Sequence, residues 1–133
     1  MDRLFLDANV LFSAAYSPTN GILKLWKLNK VQLLSSRYAL EEARINLASE
    51  SQRERLRILS AQVALFDATP AELPNQISLP GKDAPIVLAA MQAKATHLLT
   101  GDVRHFGQYF DKSIGGVLIL PPAEYLKRRH AAT

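Results

Sequence analysis

Short apolar runs alternate along the chain with longer segments in which apolar residues recur every three or four positions. The short runs predict strands at residues 3–6, 31–34, 63–68, 97–100 and 116–120. The longer segments predict helices at about residues 10–15, 21–28, 37–48, 52–62, 82–94 and 123–129. Polar residues that commonly cap helices precede three of these segments, namely Asn9, Ser36 and Ser51.

This alternation of strands and helices in 133 residues predicts one α/β domain over residues 1–133. Its sheet should be parallel and covered by helices on both faces. The proline- and glycine-rich stretch 69–81 is typical of a loop inside the domain. In such sheets ligands bind outside the carboxyl ends of the strands, which indicates where functional residues should lie.

Composition narrows the classes of protein that fit this pattern. Hydrophobic residues make up 48% of the chain, which suffices for a buried core. Cysteine is absent, which excludes disulfides, thiolate zinc sites and cysteine nucleophiles. Because no apolar run has the length of a membrane span or the form of a signal peptide, we expect a cytoplasmic protein without membrane contact. The net charge of +4 favours polyanionic partners.

Two aspartates directly follow predicted strands. Asp7 ends the apolar run 4–6, and Asp102 comes just after the run 97–100. For one such acid, a loop residue or a helix cap is as good an explanation as a functional role. Two acids at the carboxyl ends of parallel strands reach the same crevice, and this shared position favours a functional role.

Acids on two predicted helices can join this pair. Asp83 lies at the start of its helix, where the helix dipole alone explains an acid. That helix start nevertheless faces the carboxyl edge of the predicted sheet. Glu41 and Glu42 both lie within one helix, and Glu41 shares a solvated flank with Arg37 and Arg44. The spacing therefore favours Glu42 slightly as the inward acid.

Carboxylates drawn from separate segments are typical of a site for a hard divalent cation. Mg²⁺ and Mn²⁺ prefer oxygen ligands. Crowded carboxylates repel one another and raise one another's pKa unless a cation neutralises them. A bound cation activates water and stabilises charge on the attacking and leaving oxygens, which suits hydrolysis of a phosphodiester.

Four blocks of this sequence, in order, resemble the PIN-domain family. They are the residues 4–11, with Asp-x-Asn after an apolar strand, and the blocks 36–44, 82–90 and 97–106. The last two blocks together are the most specific part of the match. The resemblance implies an α/β/α sandwich with a central, mostly parallel sheet and a ribonuclease that depends on Mg²⁺ or Mn²⁺.

The resemblance also implies roles for individual residues. The catalytic and metal-binding quartet would be Asp7, Glu42, Asp83 and Asp102. Supporting polar roles fall to Asn9 and Thr100. The ending Gly-Asp-x-x-His-Phe at 101–106 is most similar to toxin-like ribonucleases of prokaryotic toxin–antitoxin systems. That branch implies RNA as substrate, a protein antitoxin as partner and a homodimer. Some PIN proteins carry a further acid shortly after the fourth one. Here Arg104 and His105 occupy the nearby positions, so the number of bound metal ions stays open.

Other residues are candidates for contacts with RNA or with a second copy of the chain. Candidates near the inferred crevice for holding the RNA strand are Lys82, Arg104, His105 and Lys112. The basic run at 53–57 more often forms a solvated helix face than an RNA contact. The predicted dimer face is an apolar patch that includes Ile22, Leu25 or Trp26.

Two other interpretations stay open on the sequence alone. One is a PIN-like scaffold that binds RNA or protein without cleaving, and it predicts binding that is insensitive to chelators. The other is a phosphoryl-transfer α/β protein that uses Asp7 as a nucleophile, although Asn9 stands where such phosphatases have a second acid. The chain has no glycine-rich phosphate loop, so enzymes with nucleotide cofactors are not favoured.

Overall fold

A computed structural model of the chain describes residues 1–74, 77–79, 81 and 83–132, except for the side chain of residue 132. Within these residues the strands β1 to β6 are Asp2–Leu6, Val31–Ser35, Val63–Leu65, His97–Leu99, Lys112–Ile114 and Val117–Leu120. The helices α1 to α6 are Ala8–Tyr16, Arg37–Asn46, Glu50–Ser60, Ala84–Gln92, Val103–Phe106 and Pro122–Ala132. Two 3-10 helices are Gly21–Lys27 and Gly107–Tyr109.

The strands form one sheet in the order β3-β2-β1-β4-β6-β5. All neighbouring pairs are parallel except β5 and β6, which are antiparallel. This confirms the predicted α/β fold with a mostly parallel sheet. From β1 the chain adds β2 and β3 on one side, then returns to add β4 and β6 on the other. The gap between β1 and β4 is therefore the topological switch point, where ligands bind in such sheets.

Buried apolar residues explain why β1 and β4 lie in the middle. Leu4, Phe5 and Leu6 of β1 are fully buried, as are Leu98 and Leu99 of β4. Continuous apolar runs of this kind are typical of strands covered on both faces. Helix α1 packs against α2 and α3, whereas α4 packs against β4. The result is the expected three-layer α/β/α arrangement.

The start of α1 corrects one predicted cap. The prediction of Asn9 as the N-cap is wrong, because Asp7 occupies that position with an extended backbone and accepts from the Ala8 N–H. Asn9 lies in the first turn, and its side chain accepts a hydrogen bond from the Gly101 N–H after β4. The negative charge of Asp7 at the N-cap also suits the positive end of the dipole of α1.

Serine caps begin the next two helices. The prediction for α2 is confirmed, since the Ser36 side chain accepts from the Ala39 N–H at 3.1 Å. The prediction of Ser51 for α3 is wrong, because Ser49 caps this helix in a reciprocal capping box with Gln52.

The remaining differences concern short elements. The predicted helix 21–28 is a 3-10 helix, the predicted strand 63–68 stops at Leu65, and the predicted helix 82–94 spans only α4. Strand β5 was not predicted; it forms the antiparallel edge through a turn at Gly115 and Gly116, whose φ angles are +57° and +85°. The described part of the stretch 69–81 holds neither helix nor strand, as predicted. No helix among the described residues is long and apolar enough to cross a membrane.

Candidate active site

Strands β1 and β4 place Asp7 and Thr100 next to each other. The register pairs Leu6 with Leu99, so the residues that follow them meet at the carboxyl edge. The Thr100 hydroxyl donates to Asp7 Oδ2 at 2.8 Å, and Asp7 Oδ1 accepts from the Ala8 N–H at 2.7 Å. Thr100 is fully buried and Asp7 is only 5% exposed. These bonds hold the carboxylate in one orientation at the switch point.

Asn9 connects the first turn of α1 to the loop after β4. Its side-chain amide donates to Asp7 Oδ2 at 3.0 Å and to the Thr100 hydroxyl at 3.1 Å. Its side-chain oxygen accepts from the Gly101 N–H at 2.7 Å. Both residues with predicted supporting roles, Asn9 and Thr100, therefore contact Asp7 directly.

His105 lies between the two other aspartates. Its Nδ1 is 2.8 Å from Asp102 Oδ2 and 3.1 Å from Asp83 Oδ2. Asp102 is the N-cap of α5 and also accepts from the His105 N–H at 3.1 Å. Potential ligand atoms of these three residues all lie within 4.8 Å of one another. The spacing of Asp102 and His105 along the chain predicts that they lie close together. Only the folded structure brings Asp83 to the same imidazole ring.

Asp83 occupies the N-cap position of α4 but does not cap the helix with its side chain. It is 7% exposed, and its carboxylate meets His105 instead. A capping hydrogen bond therefore does not explain why an acid stands here. The side chain lies with the other acids at the carboxyl edge of the sheet.

The structure separates the two glutamates of α2. Glu41 is exposed and pairs with Arg44 at 2.6 Å on the solvent side. Glu42 is half-buried and lines the same cavity as Asp7. The slight preference that helical spacing gives to Glu42 agrees with this geometry.

The four acids line one cavity of about 610 Å³. Among its described lining residues there is no lysine or arginine. Sequence reasoning did not identify Ser13, Ile22 and Asn46 as part of the lining. Helical spacing offered a weak signal for two of them, because Ser13 follows Asn9 by one turn of α1 and Asn46 follows Glu42 by one turn of α2.

Burial and like charge change the acidity of groups in this cavity. Burial raises the pKa of Asp7 from 3.8 to about 6, and the carboxylates of Asp83 and Glu42 add to the rise. Hydrogen bonds from Thr100 and the Ala8 N–H act in the opposite direction. Partial burial, followed by repulsion from the same acids, also raises the pKa of Tyr38. Without a cation, the surroundings of Asp7 therefore disfavour its charged form.

Other predicted contact residues lie elsewhere. Arg104 and Lys112 are exposed and are not among the described residues that line the cavity. Lys82 lies outside the described residues. Leu25 is fully buried in the core of its own chain, so its inclusion in a dimer face is wrong. The Trp26 indole is half-buried and donates to the Leu59 main-chain oxygen at 3.0 Å.

The fold and the site together define an α/β domain that gathers carboxylates at the switch point of a parallel sheet, where oxygen ligands suit a divalent cation. The chain belongs to the PIN-domain family: the PIN-domain family model matches residues 3–104, a span that includes all four acids. Members of this family are typically metal-dependent nucleases, so the general class of activity is that of a nuclease-type hydrolase. A comparison with curated proteins found no match.

Proposed function

We propose that this protein is an endoribonuclease that hydrolyses RNA phosphodiester bonds with Mg²⁺ or Mn²⁺. The observation that carries the proposal is the cavity lined by four carboxylates and, among its described lining, by no lysine or arginine. Carboxylates that are buried and grouped are unfavourable unless a cation neutralises them, and the pKa of Asp7 is raised first by burial and then by the neighbouring acids.

The donor set fits a hard divalent cation, because the acids of the cavity offer carboxylate oxygens. Asp7 and Asp102 would hold the ion, and Asp83 would do so directly or through a water molecule. Glu42 would complete the cage or orient the attacking water. When bound, a divalent cation neutralises the acids, lowers the pKa of a bound water and stabilises charge on the attacking and leaving oxygens.

The neighbouring polar residues keep the ligands in place. Thr100 and Asn9 both donate to Asp7 Oδ2, so the orientation of this carboxylate is set before any ion arrives. His105 contacts Asp83 and Asp102 and so links α4 to α5. Water can then attack the phosphorus directly, without a covalent enzyme intermediate.

Phosphoryl transfer through Asp7 is less well supported. Asn9 stands where such a transfer would use a second acid, and its amide instead donates to Asp7 Oδ2 at 3.0 Å. The family match also favours a nuclease. A PIN-like scaffold without catalysis remains the second candidate, because belonging to the family does not require every member to cleave RNA.

Cleavage of a mixed RNA pool tests the proposal. The wild-type protein is incubated with Mg²⁺, Mn²⁺ or EDTA, beside Asp7→Asn and the control Glu41→Gln, which changes an exposed acid of α2. We expect cleavage with either metal by the wild type and the control, and none with EDTA or by Asp7→Asn. RNA binding without cleavage, unaffected by EDTA, would support the scaffold instead.

We further infer that the protein acts in the cytoplasm as the toxin of a toxin–antitoxin pair, as a homodimer blocked by a protein antitoxin. The support is the similarity of the block 97–106 to toxin-like ribonucleases and the basic net charge of +4. Induced expression should arrest growth of a bacterial host, and expression of Asp7→Asn to the same level should not. Equal growth arrest by both proteins would contradict this role.

A further inference from the structure

A second groove, of about 850 Å³, runs between the 3-10 helix Gly21–Lys27 and α6. Its basic side chains are Lys24, Lys27, Lys127, Arg129 and His130. None of its described lining residues is acidic. The groove therefore has the opposite charge to the cavity that holds the acids.

The basic groove adjoins the acidic cavity. Ile22 lines both, and Ala123 of the groove directly follows Pro122, which lines the cavity. From Ala123 to His130, α6 runs about 10 Å away from the cavity, at a rise of about 1.5 Å per residue. Half-buried apolar side chains of Ile22 and Leu126 form part of the groove wall. An extended polyanion can therefore lie along the groove with one end in the cavity.

The lysines of this groove are available to a ligand. Lys24, Lys27 and Lys127 are exposed, and none of them forms an ion pair with a described residue. Arg129, in contrast to the lysines, already has partners within the protein. Its guanidinium donates to the Asn29 main-chain oxygen, and its Nη1 lies 3.5 Å from Asp2 Oδ2. Its charge helps to hold α6 in place, so the three lysines are the groups that can bind a phosphate.

Arginines in the basic run of α3, which the sequence also singles out, already have partners within the protein. Arg57 pairs with Glu54 at 2.6 Å, and Arg55 donates to the Ala15 main-chain oxygen at 2.6 Å. Positive charge that is neutralised or tied to the main chain attracts a polyanion less than free lysines do. This contrast favours the groove over α3 as the polyanion-binding surface.

We propose that the basic groove binds backbone phosphates of the RNA strand next to the phosphate being cleaved. This inference rests on the proposed ribonuclease function. Without a bound cation the acids of the cavity repel RNA, so the affinity of the metal-free protein for RNA must come from positive charge outside the cavity. Phosphate contacts by lysine supply such affinity without regard to sequence. The groove is the described surface that offers unpaired lysines along a path ending at the acids.

The test uses one lysine from each wall. Lys24→Gln combined with Lys127→Gln removes two positive charges from the groove. The control combines Arg57→Gln with Lys94→Gln and removes the same charge elsewhere. Lys94 is exposed and follows the far end of α4 from Asp83. Binding of a short fluorescent single-stranded RNA is followed by anisotropy in EDTA over a series of salt concentrations, with thermal melts to confirm folding.

We expect the groove variant to bind RNA about 25-fold more weakly than the wild type at about 0.1 M salt. This follows from a salt slope that falls by about 0.7 for each lost contact with a single-strand phosphate, or about 1.4 in total. The control should keep the wild-type slope and an affinity within about twofold, because exposed charges far from the strand are largely screened.

Two results would overturn the inference. One is a groove variant with wild-type affinity and salt slope, and the other is an equal loss of affinity in the control. Cleavage by the wild type with Mg²⁺ is measured separately. If the wild type cleaves RNA while the groove variant binds it normally, the groove inference fails alone. If binding depends on the lysines but no cleavage occurs, the groove binds RNA, whereas the nuclease proposal fails and with it the position of the groove next to a cleaved phosphate.

Discussion

Replacing Asp7 with asparagine should make the metal-free protein less sensitive to pH. Asp7 is 5% exposed, and burial together with neighbouring carboxylates raises its pKa from 3.8 to about 6. The folded protein therefore binds this proton more tightly than the unfolded chain does. Stability contributed by the protonated carboxyl is fully present below pH 3.8 and is lost as the pH rises through about 6.

The size of the effect follows from the pKa values. A rise from 3.8 to about 6 corresponds to about 3 kcal/mol of unfolding free energy between the two limits. Between about pH 4.5 and about pH 7, the part lost is about 2 kcal/mol. Asparagine carries no charge at either pH, so Asp7→Asn should lack this loss. At neutral pH in EDTA the variant should be at least as stable as the wild type, because relief of charge offsets the altered hydrogen bonds.

Urea unfolding in EDTA at these two pH values measures the difference directly. The gain in stability from Asp7→Asn over the wild type should be about 2 kcal/mol larger at the higher pH. Titrating groups that do not interact with Asp7 change both proteins alike and cancel in this comparison. Adding Mg²⁺ to 100 times its dissociation constant should stabilise the wild type by about 2.7 kcal/mol and leave the variant unchanged. Parallel pH profiles for the two proteins would refute the burial argument.

Three further predictions test individual residues, and two of them have a matched control variant. Glu42→Gln should lower the rate of RNA cleavage about 100-fold in a kinetic assay. Glu41→Gln should leave this rate unchanged, because Glu41 is exposed and pairs with Arg44 on the solvent side. Thr100→Val removes a buried donor to a carboxylate, so titration calorimetry should show metal affinity reduced about 10- to 100-fold. In urea unfolding, Ser49→Ala should cost about 1 kcal/mol by removing the cap of α3, and Ser51→Ala less than about 0.5 kcal/mol. Equal effects within either matched pair, or unchanged metal affinity in the threonine variant, would contradict these assignments.

The sheet could be predicted from the sequence because its strands are strongly apolar. The runs 4–6 and 98–99 are apolar and fully buried, so their composition alone marks them as parts of central strands. β5 could not be found this way, since Lys112 and Ser113 are exposed and only Ile114 enters the core. An edge strand of three residues depends on the turn and on its partner more than on its own pattern.

Helix caps show where local patterns fail to distinguish neighbours. Ser49 has Gln52 three positions later and Ser51 has Glu54, so both fit a capping box. In the folded chain Glu54 instead pairs with Arg57, and Gln52 completes the box. Two arrangements with similar local energy are separated only by the packing of the whole helix.

The candidate site was predictable in part. Acids that follow strands, such as Asp7 and Asp102, are placed by topology alone. Glu42 lies within α2 and Asp83 directly before α4, where a solvated acid or a helix-end acid is equally compatible with the pattern, so the family resemblance was needed to choose them. The contact of His105 with Asp83 joins residues from two separate helices, and no local spacing encodes it.

Binding of Mn²⁺ tests the central claim most directly. Electron paramagnetic resonance titration of the metal-free protein reports bound and free ion without requiring any substrate. We predict that the wild type binds Mn²⁺, that Asp102→Asn loses most of this affinity, and that Glu41→Gln retains it. Indistinguishable Mn²⁺ binding by the wild type and Asp102→Asn would contradict the claim that these carboxylates form a divalent-cation site.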